Sequence, residues 1–475
     1  MMAGLMLAML LAARDMFRVD VYPLPDPDAY VFLARADADL VGDVAILNGT
    51  AMTVHASGSR GTPLTVQLEP GTSAVDVADV DGDKRAEVVA ICGDRILTYV
   101  LSPGSPSPQP TEALTRPSLL SAACQRPFPR VLVVYRGGRP LLALPQKDFL
   151  ELVSLDGTVD SRYGVAFESP TFASDFWAYD SRPPLAGSAS SLEWRIGARH
   201  CGGYDLPVDL KPGPVSFAWE PFPNAWRRDE GKTLPHSRWP TFPLRVMGED
   251  ARQVRYQSPA PPGQETVIRI VEQEKRPQPE GSDIPPGDEF VAGPEHRYPG
   301  IMVTPDGDLP DYNHDGYVDL TLWQAPDPGL SVNALTRAIS IGTWPLRIAV
   351  YLYSPEKKRF DIETVKRIDT EAPVFLFMGG EPVQHCVLRD LNGDGYADCG
   401  FRTADKKFSI WLYNDGFADK PDAVTVFPEP IKQVAFRADL NGDGSTNVGF
   451  RGEKAMYVLG LAQSGDGKTG TVPVP

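Results

Sequence analysis

An acidic ten-residue motif recurs along this 475-residue chain and constrains its fold more than any other feature. Three copies align without gaps: Asp311-Tyr-Asn-His-Asp-Gly-Tyr-Val-Asp-Leu, Asp390-Leu-Asn-Gly-Asp-Gly-Tyr-Ala-Asp-Cys and Asp439-Leu-Asn-Gly-Asp-Gly-Ser-Thr-Asn-Val. A fourth, Asp79-Val-Asp-Gly-Asp-Lys-Arg-Ala-Glu-Val, differs mainly in Lys84 at position six. A fifth, Arg35-Ala-Asp-Ala-Asp-Leu-Val-Gly-Asp-Val, keeps Asp37, Asp39 and Asp43 but has Arg35 at the first ligand position, and reads as a repeat that has lost its ion. Start positions 35, 79, 311, 390 and 439 leave separations of 44, 232, 79 and 49 residues. Units of roughly 40–50 residues suit a radial array of four-stranded sheets. The expected fold is therefore all-β, a β-propeller of four-stranded blades. The longest interval leaves space for two or three blades without acidic loops, and counting two brings the expected number to seven.

The sequence between motifs supports strands. With 43 Gly and 47 Pro, turns are abundant. Short runs of β-branched and aromatic residues recur between them: Glu87 to Ile91, Arg95 to Val100, Arg130 to Tyr135, Arg347 to Tyr353 and Phe408 to Tyr413. Leu330 to Ile341 keeps helical spacing and is expected to be a short helix inserted into a blade. The repeats are clear over 32–100 and 300–461. The stretch 101–299 is read as divergent blades with Pro-rich loops, its aromatics from Phe172 to Phe242 serving as core or lining a groove. The strand-like segment Phe17 to Tyr22 is expected to complete the last blade, which otherwise stops at Ala455 to Leu459 with an open edge.

The motif chemistry points to calcium. Ca²⁺ takes six to eight hard oxygen ligands in a flexible shell, and oxygens at positions 1, 3 and 5 wrap around one point when a glycine at position 6 permits the turn. The predicted ligands in the first complete loop are Asp311, Asn313, Asp315, the Tyr317 carbonyl and Asp319. The equivalents are Asp390, Asn392, Asp394, Tyr396 and Asp398, then Asp439, Asn441, Asp443, Ser445 and Asn447. The fourth set is Asp79, Asp81, Asp83, Arg85 and Glu87. About three or four ions are expected, with Asn447 weakening the last site by one charge. Magnesium, which demands strict octahedral geometry, fits less well. An EF-hand would need a bidentate Glu at position twelve, where this chain has Ala90, Leu322, Phe401 and Phe450. The competing reading is a set of acidic Asx turns without an ion.

An acidic nine-residue loop between two apolar strands, followed by a third strand such as Phe408 to Tyr413, resembles the FG-GAP repeat of integrin alpha-chain propellers and many exported bacterial proteins. The resemblance covers about Phe32 to Val100 and Gly300 to Leu461, not the middle of the chain. It implies calcium sites on blade loops and a binding or adhesion role.

A formal charge of −16 argues against a nucleic-acid partner. Met1 to Ala13 resembles a secretory h-region, which would make the chain exported, although no basic residue precedes the apolar run; a buried N-terminal strand or a misassigned start is the alternative. No other run approaches the length of a membrane helix, so no transmembrane segment is expected. The five cysteines form no zinc pattern; Cys386 and Cys399 could bridge in an exported protein or remain as two buried thiols. The sequence carries no GxSxG, HExxH, Walker or dinucleotide fingerprint, and its six histidines are scattered. No catalytic residue is assigned. Two functional classes follow: a calcium-rigidified module that binds a protein or glycan, and a carbohydrate-active hydrolase or lyase built on the same scaffold.

Overall fold

The computed structural model describes residues 16–34, 43–55, 63–82, 86–101, 108–121, 126–129, 132–136, 139–146, 149–165, 176–177, 191–192, 206–207, 214–215, 241–244, 252–257, 265–275, 288–302, 309–324, 343–363, 365–373 and 386–462. The expected helix at 330–341, the leader-like segment and Cys124 and Cys201 lie outside these residues, as do most of the aromatics between Phe172 and Phe242. Among the described residues the chain is all-β, with a single 3-10 turn at Leu119–Ser121.

Seven sheets of four or five strands follow one another along the chain, with two additional two-stranded ribbons. Sheet 1 comprises Tyr30–Ala34, Asp43–Asn48, Ala51–His55 and Leu64–Gln67; sheet 2 comprises Thr72–Ala78, Glu87–Cys92, Arg95–Val100 and Thr111–Thr115. Among the described residues two sheets lie in the long interval between motifs. Sheet 3 runs Val133–Arg136, Arg139–Pro145, Phe149–Val153 and Val159–Val165, and sheet 4 runs Thr241–Pro243, Arg252–Gln257, Glu265–Lys275 and Asp288–Pro299. Sheet 5 holds Ile301–Met302, Leu320–Gln324, Thr343–Tyr351 and Lys366–Pro373; sheet 6 holds Cys386–Arg389, Asp398–Ala404, Lys407–Trp411 and Ala423–Val426. Sequential neighbours within each sheet pair antiparallel.

Sheet 7 is assembled from both ends of the described chain. Its strands Gln433–Ala438, Asn447–Arg451 and Ala455–Leu461 are completed by Phe17–Pro23, which pairs antiparallel from Phe17 opposite Leu461 to Pro23 opposite Ala455. The edge expected to need covering is thus covered by the expected segment. Arg451 ties the same junction to sheet 1, donating to the carbonyls of Pro27 at 2.7 Å and Ala29 at 2.6 Å.

Burial grades across each sheet. Thr72–Ala78 is buried along its whole length, while the outer strands Thr111–Thr115 and Ala423–Val426 are largely exposed. A strand covered on both faces needs a continuous run of small and β-branched residues, which Ser73-Ala-Val-Asp-Val-Ala78 supplies with one polar exception. That exception, Asp76, accepts from the backbone N–H of Leu132 at 2.7 Å and Val133 at 3.0 Å, stitching sheet 2 to sheet 3. The apolar core is divided between facing sheets. Clusters join sheets 1, 2 and 3, sheets 4 and 5, sheets 5 and 6, and sheets 6 and 7. A last cluster packs Phe436 and Met456 of sheet 7 against Val31 and Ile46 of sheet 1.

Cys386 and Cys399 are both free and fully buried. Hydrogen bonding between the two, together with burial, pushes the Cys399 thiol well up. The structure thus holds the two-thiol alternative.

Candidate metal centres

All five acidic motifs occupy one topological position: each connects the first strand of its sheet to the second, in sheets 1, 2, 5, 6 and 7. Position nine stands at or just before the start of the second strand, as Asp43, Glu87, Asp319, Asp398 and Asn447. The first eight residues of the motif at 35 lie outside the described residues, as do Asp83 and Arg85.

The three C-terminal loops share one internal bonding scheme. In the middle loop Asp390 Oδ1 accepts from Gly393 N at 2.6 Å and Oδ2 from Gly395 N at 2.7 Å. Asn392 Nδ2 donates to Asp394 Oδ2 at 2.9 Å, and Asp394 Oδ1 accepts from Tyr396 N at 2.9 Å. The last loop repeats this with Asp439, Asn441, Asp443 and Ser445; the first keeps the bonds of Asp311 Oδ2, Asn313 and Asp315, but its Asp311 Oδ1 accepts from position five, Asp315 N, at 3.2 Å and not from position four. These are Asx turns. Position six is left-handed at Gly316, Gly395 and Gly444, with φ of 85°, 89° and 84°. Position four is left-handed too, and there His314 adopts φ of 57° where the other loops have glycine. That requirement was readable in the glycines at 82, 393 and 442.

Position nine does more than the ligand pattern implied. Asp319 is fully buried; its Oδ2 accepts from Tyr312 N at 2.8 Å and its Oδ1 from Tyr353 N at 2.9 Å. Asp398 does the same, from Leu391 N and Tyr413 N, each at 2.9 Å. Asn447 Oδ1 accepts from Leu440 N at 2.6 Å, and Glu87 Oε2 from Val80 N at 3.1 Å. In each case the side chain pins position two of its loop, an apolar residue that is itself buried: Val80, Tyr312, Leu391 or Leu440. Each carboxylate oxygen has a second lone pair and so remains able to ligate.

The electrostatics favour a cation. Burial raises Asp398 from 3.8 to about 7; its two backbone hydrogen bonds oppose the shift and the charges of Asp394 and Asp390 add to it. Asp319 is raised well above the carboxylate range by burial, with Asp315 and Asp311 contributing. Asp311 is also raised, by burial and then by Asp315 among the charges. Oxygen-only donors and repelling carboxylates suit a hard divalent ion, and among the described residues the one gathered set of three carboxylates is in the second sheet. In the second sheet, oxygens of Asp79, Asp81 and Glu87 lie within 4.8 Å of one another. The Asn441 Oδ1 is buried without a hydrogen-bond partner, as a ligand oxygen would be.

The three C-terminal loops also touch. Thr446 N, at position eight of the last, donates to the Asp390 carbonyl at 2.7 Å. A Cβ at Gly393 would lie 3.7 Å from both the Asp443 carbonyl oxygen and Ser445 Cβ. The His314 and Tyr396 rings sit 6.2 Å apart, and Tyr413 stacks between Tyr312 at 5.8 Å and Tyr396 at 6.2 Å.

No protein-family model matches the chain, and no curated protein matches it significantly. Among solved structures it aligns with BBS1N crystallised in complex with ARL6DN, at 8% identity and a TM-score of 0.32, covering 95% of this chain and 98% of that one. It also aligns with a catalytically inactive virginiamycin B lyase from Staphylococcus aureus bound to quinupristin, at 11% identity and a TM-score of 0.30, covering 94% and 99%. A streptogramin B lyase aligns at 9% identity and a TM-score of 0.28, covering 94% and 98%. At such scores these likenesses carry no argument about activity.

Proposed function

We propose that this protein is a calcium-stabilised, seven-bladed β-propeller of the FG-GAP type, exported from the cell, that serves as a non-catalytic binding or adhesion module for a protein or glycan. One observation carries the reading: an oxygen-rich turn recurs at the same strand connection, each time pinned by its position-nine side chain to the N–H of position two. Asp79, Asp311, Asp390 and Asp439 stand first in their loops, and the buried position-nine residues hold each loop against its sheet. Seven consecutive sheets, with the last closed by the first strand and packed on sheet 1, support the ring. Calcium would neutralise the repelling carboxylates and rigidify one end of the blades, leaving the loops free to vary around a fixed frame.

The test is a thermal melt in calcium and in excess EGTA, with metal analysis of the purified protein. Three or four bound ions and a melting temperature that falls on chelation support the reading. No retained calcium and an unchanged melt would reduce the loops to turns.

A further inference from the structure

We propose that Cys386 and Cys399 are oxidised to a disulfide while sheet 6 is still open and are then sealed, so that the folded protein keeps the redox state in which it folded. The bond joins the two strands on either side of the loop at 390–398. The proposal depends neither on bound calcium nor on export.

The register brings the two thiols together. Strand Cys386–Arg389 pairs antiparallel with Asp398–Ala404, with Leu388 opposite Cys399 and Cys386 opposite Phe401. Residues two apart on a strand share a face, so the cysteines are diagonal neighbours on one face of sheet 6. They are hydrogen-bonded to one another, and both are fully buried. Their surroundings exclude an oxidant. Cys399 has Trp411 as its cross-strand partner on the other side, and the pair shares one apolar cluster with Tyr312 and Trp323, the Trp323 ring standing edge-on to Phe401 at 5.1 Å. Thiol–disulfide exchange needs a foreign sulfur to approach the thiol, which this packing prevents.

Access exists only earlier. The cysteines stand 13 positions apart in the chain, so their hairpin is a local contact that forms before the long-range packing of sheet 5 on sheet 6. In that open hairpin one thiolate attacks a sulfur of a disulfide oxidant such as glutathione disulfide, releasing one glutathione thiolate and leaving a mixed disulfide. The second thiolate then displaces the remaining glutathione, so two electrons and the two cysteine protons pass to the oxidant, which leaves as two thiols. Drawing the sulfurs from hydrogen-bond contact to a bond of about 2.05 Å also asks less of a free ribbon than of a packed sheet. Once Trp323 and Trp411 close over the pair, neither oxidant nor reductant reaches it without local unfolding.

The test varies the order of folding and oxidation. The full chain is reduced in denaturant and refolded in a buffer of glutathione and glutathione disulfide, while a second sample is refolded in reductant and meets the same buffer afterwards. Free thiols are then blocked in denaturant and the chain is cut with trypsin, which cleaves after Arg389 and so leaves Cys386 and Cys399 in different peptides unless a disulfide joins them. The linked peptides, identified by mass, should form faster when the oxidant is present during folding, by about tenfold or more. The bond should then survive reductant in native buffer and be lost in urea. Where the reduced chain does not refold, the same peptides are compared between chain expressed in an oxidising and in a reducing compartment, and only the first should hold the linked pair. Absence of the linked pair from chain folded with oxidant would overturn the bond, and equally fast linkage in chain already folded would overturn the sealing.

Discussion

Replacing Asp398 separates two roles that position nine combines. Its carboxylate is fully buried and accepts from Leu391 N and Tyr413 N, so Asp398→Ala strands two buried donors that water cannot reach. Each stranded donor costs about 1–3 kcal/mol, giving about 2–6 kcal/mol for the pair. Asp398→Asn retains one acceptor oxygen, and Asn447 shows that an amide can hold the equivalent position-two N–H in this setting. The asparagine variant should therefore lose only about half as much. Equilibrium urea denaturation in EGTA at pH 8, followed by tryptophan fluorescence, reads the difference; buried Trp411 lies on the neighbouring strand, with Cys399 as its cross-strand partner. Adding calcium then reads the second role, because both variants remove a charged ligand and both should gain less stability from the ion. Equal losses for the two variants in EGTA would refute the clamp, and an unchanged calcium increment in either would remove Asp398 from the ligand set.

Three further outcomes follow from the structure. In calcium-free protein, Asp398 holds a proton from about pH 4 to about 7 that the unfolded chain has released, so it should make stability fall as pH rises through that window, by on the order of 4 kcal/mol; urea denaturation across pH checks this, and a profile shallower in Asp398→Asn than in the unaltered chain would assign that share, the raised Asp319 keeping a slope of its own. Deleting residues 1–23 should lower the melting temperature sharply and promote self-association, because Ala455–Leu461 loses its partner strand along its full length; an unchanged melt and a monodisperse chain would contradict the closure. Gly400→Ala should destabilise by about 1–3 kcal/mol, since its Cβ would lie 2.5 Å from the fully buried Phe408 ring, and a neutral denaturation midpoint would count against that packing.

Much of this architecture was legible because the motifs repeat. Their intervals left space for two or three additional sheets between 101 and 299, and among the described residues 133–165 and 241–299 supply two. The closing strand was legible because Phe17 to Tyr22 alternates and the last repeat is one strand short. What stayed hidden depends on contacts between distant residues. Asp319 and Asp398 look like ligands in sequence, and nothing local reveals that Tyr353 N and Tyr413 N, at the far end of the third strand, use the same oxygens. Phe128–Pro129 adds in parallel to Thr72–Ala78 through only two residues, too few to show a period. Strand Asp288–Pro299 was obscured by its own Gly293 and Pro294, which break the alternation expected of a strand.

The seam in sheet 7 sets the order in which this molecule can be completed. Strand Phe17–Pro23 is synthesised long before its partner Ala455–Leu461, and Arg451 reaches a carbonyl 424 positions away in the chain. A nascent chain must therefore carry a ready-made strand without this partner until Ala455–Leu461 has been made, and interior sheets can form well before sheet 7 is joined. Such a late, long-range step is slow in folding terms and leaves an adhesive segment open to neighbours in the meantime.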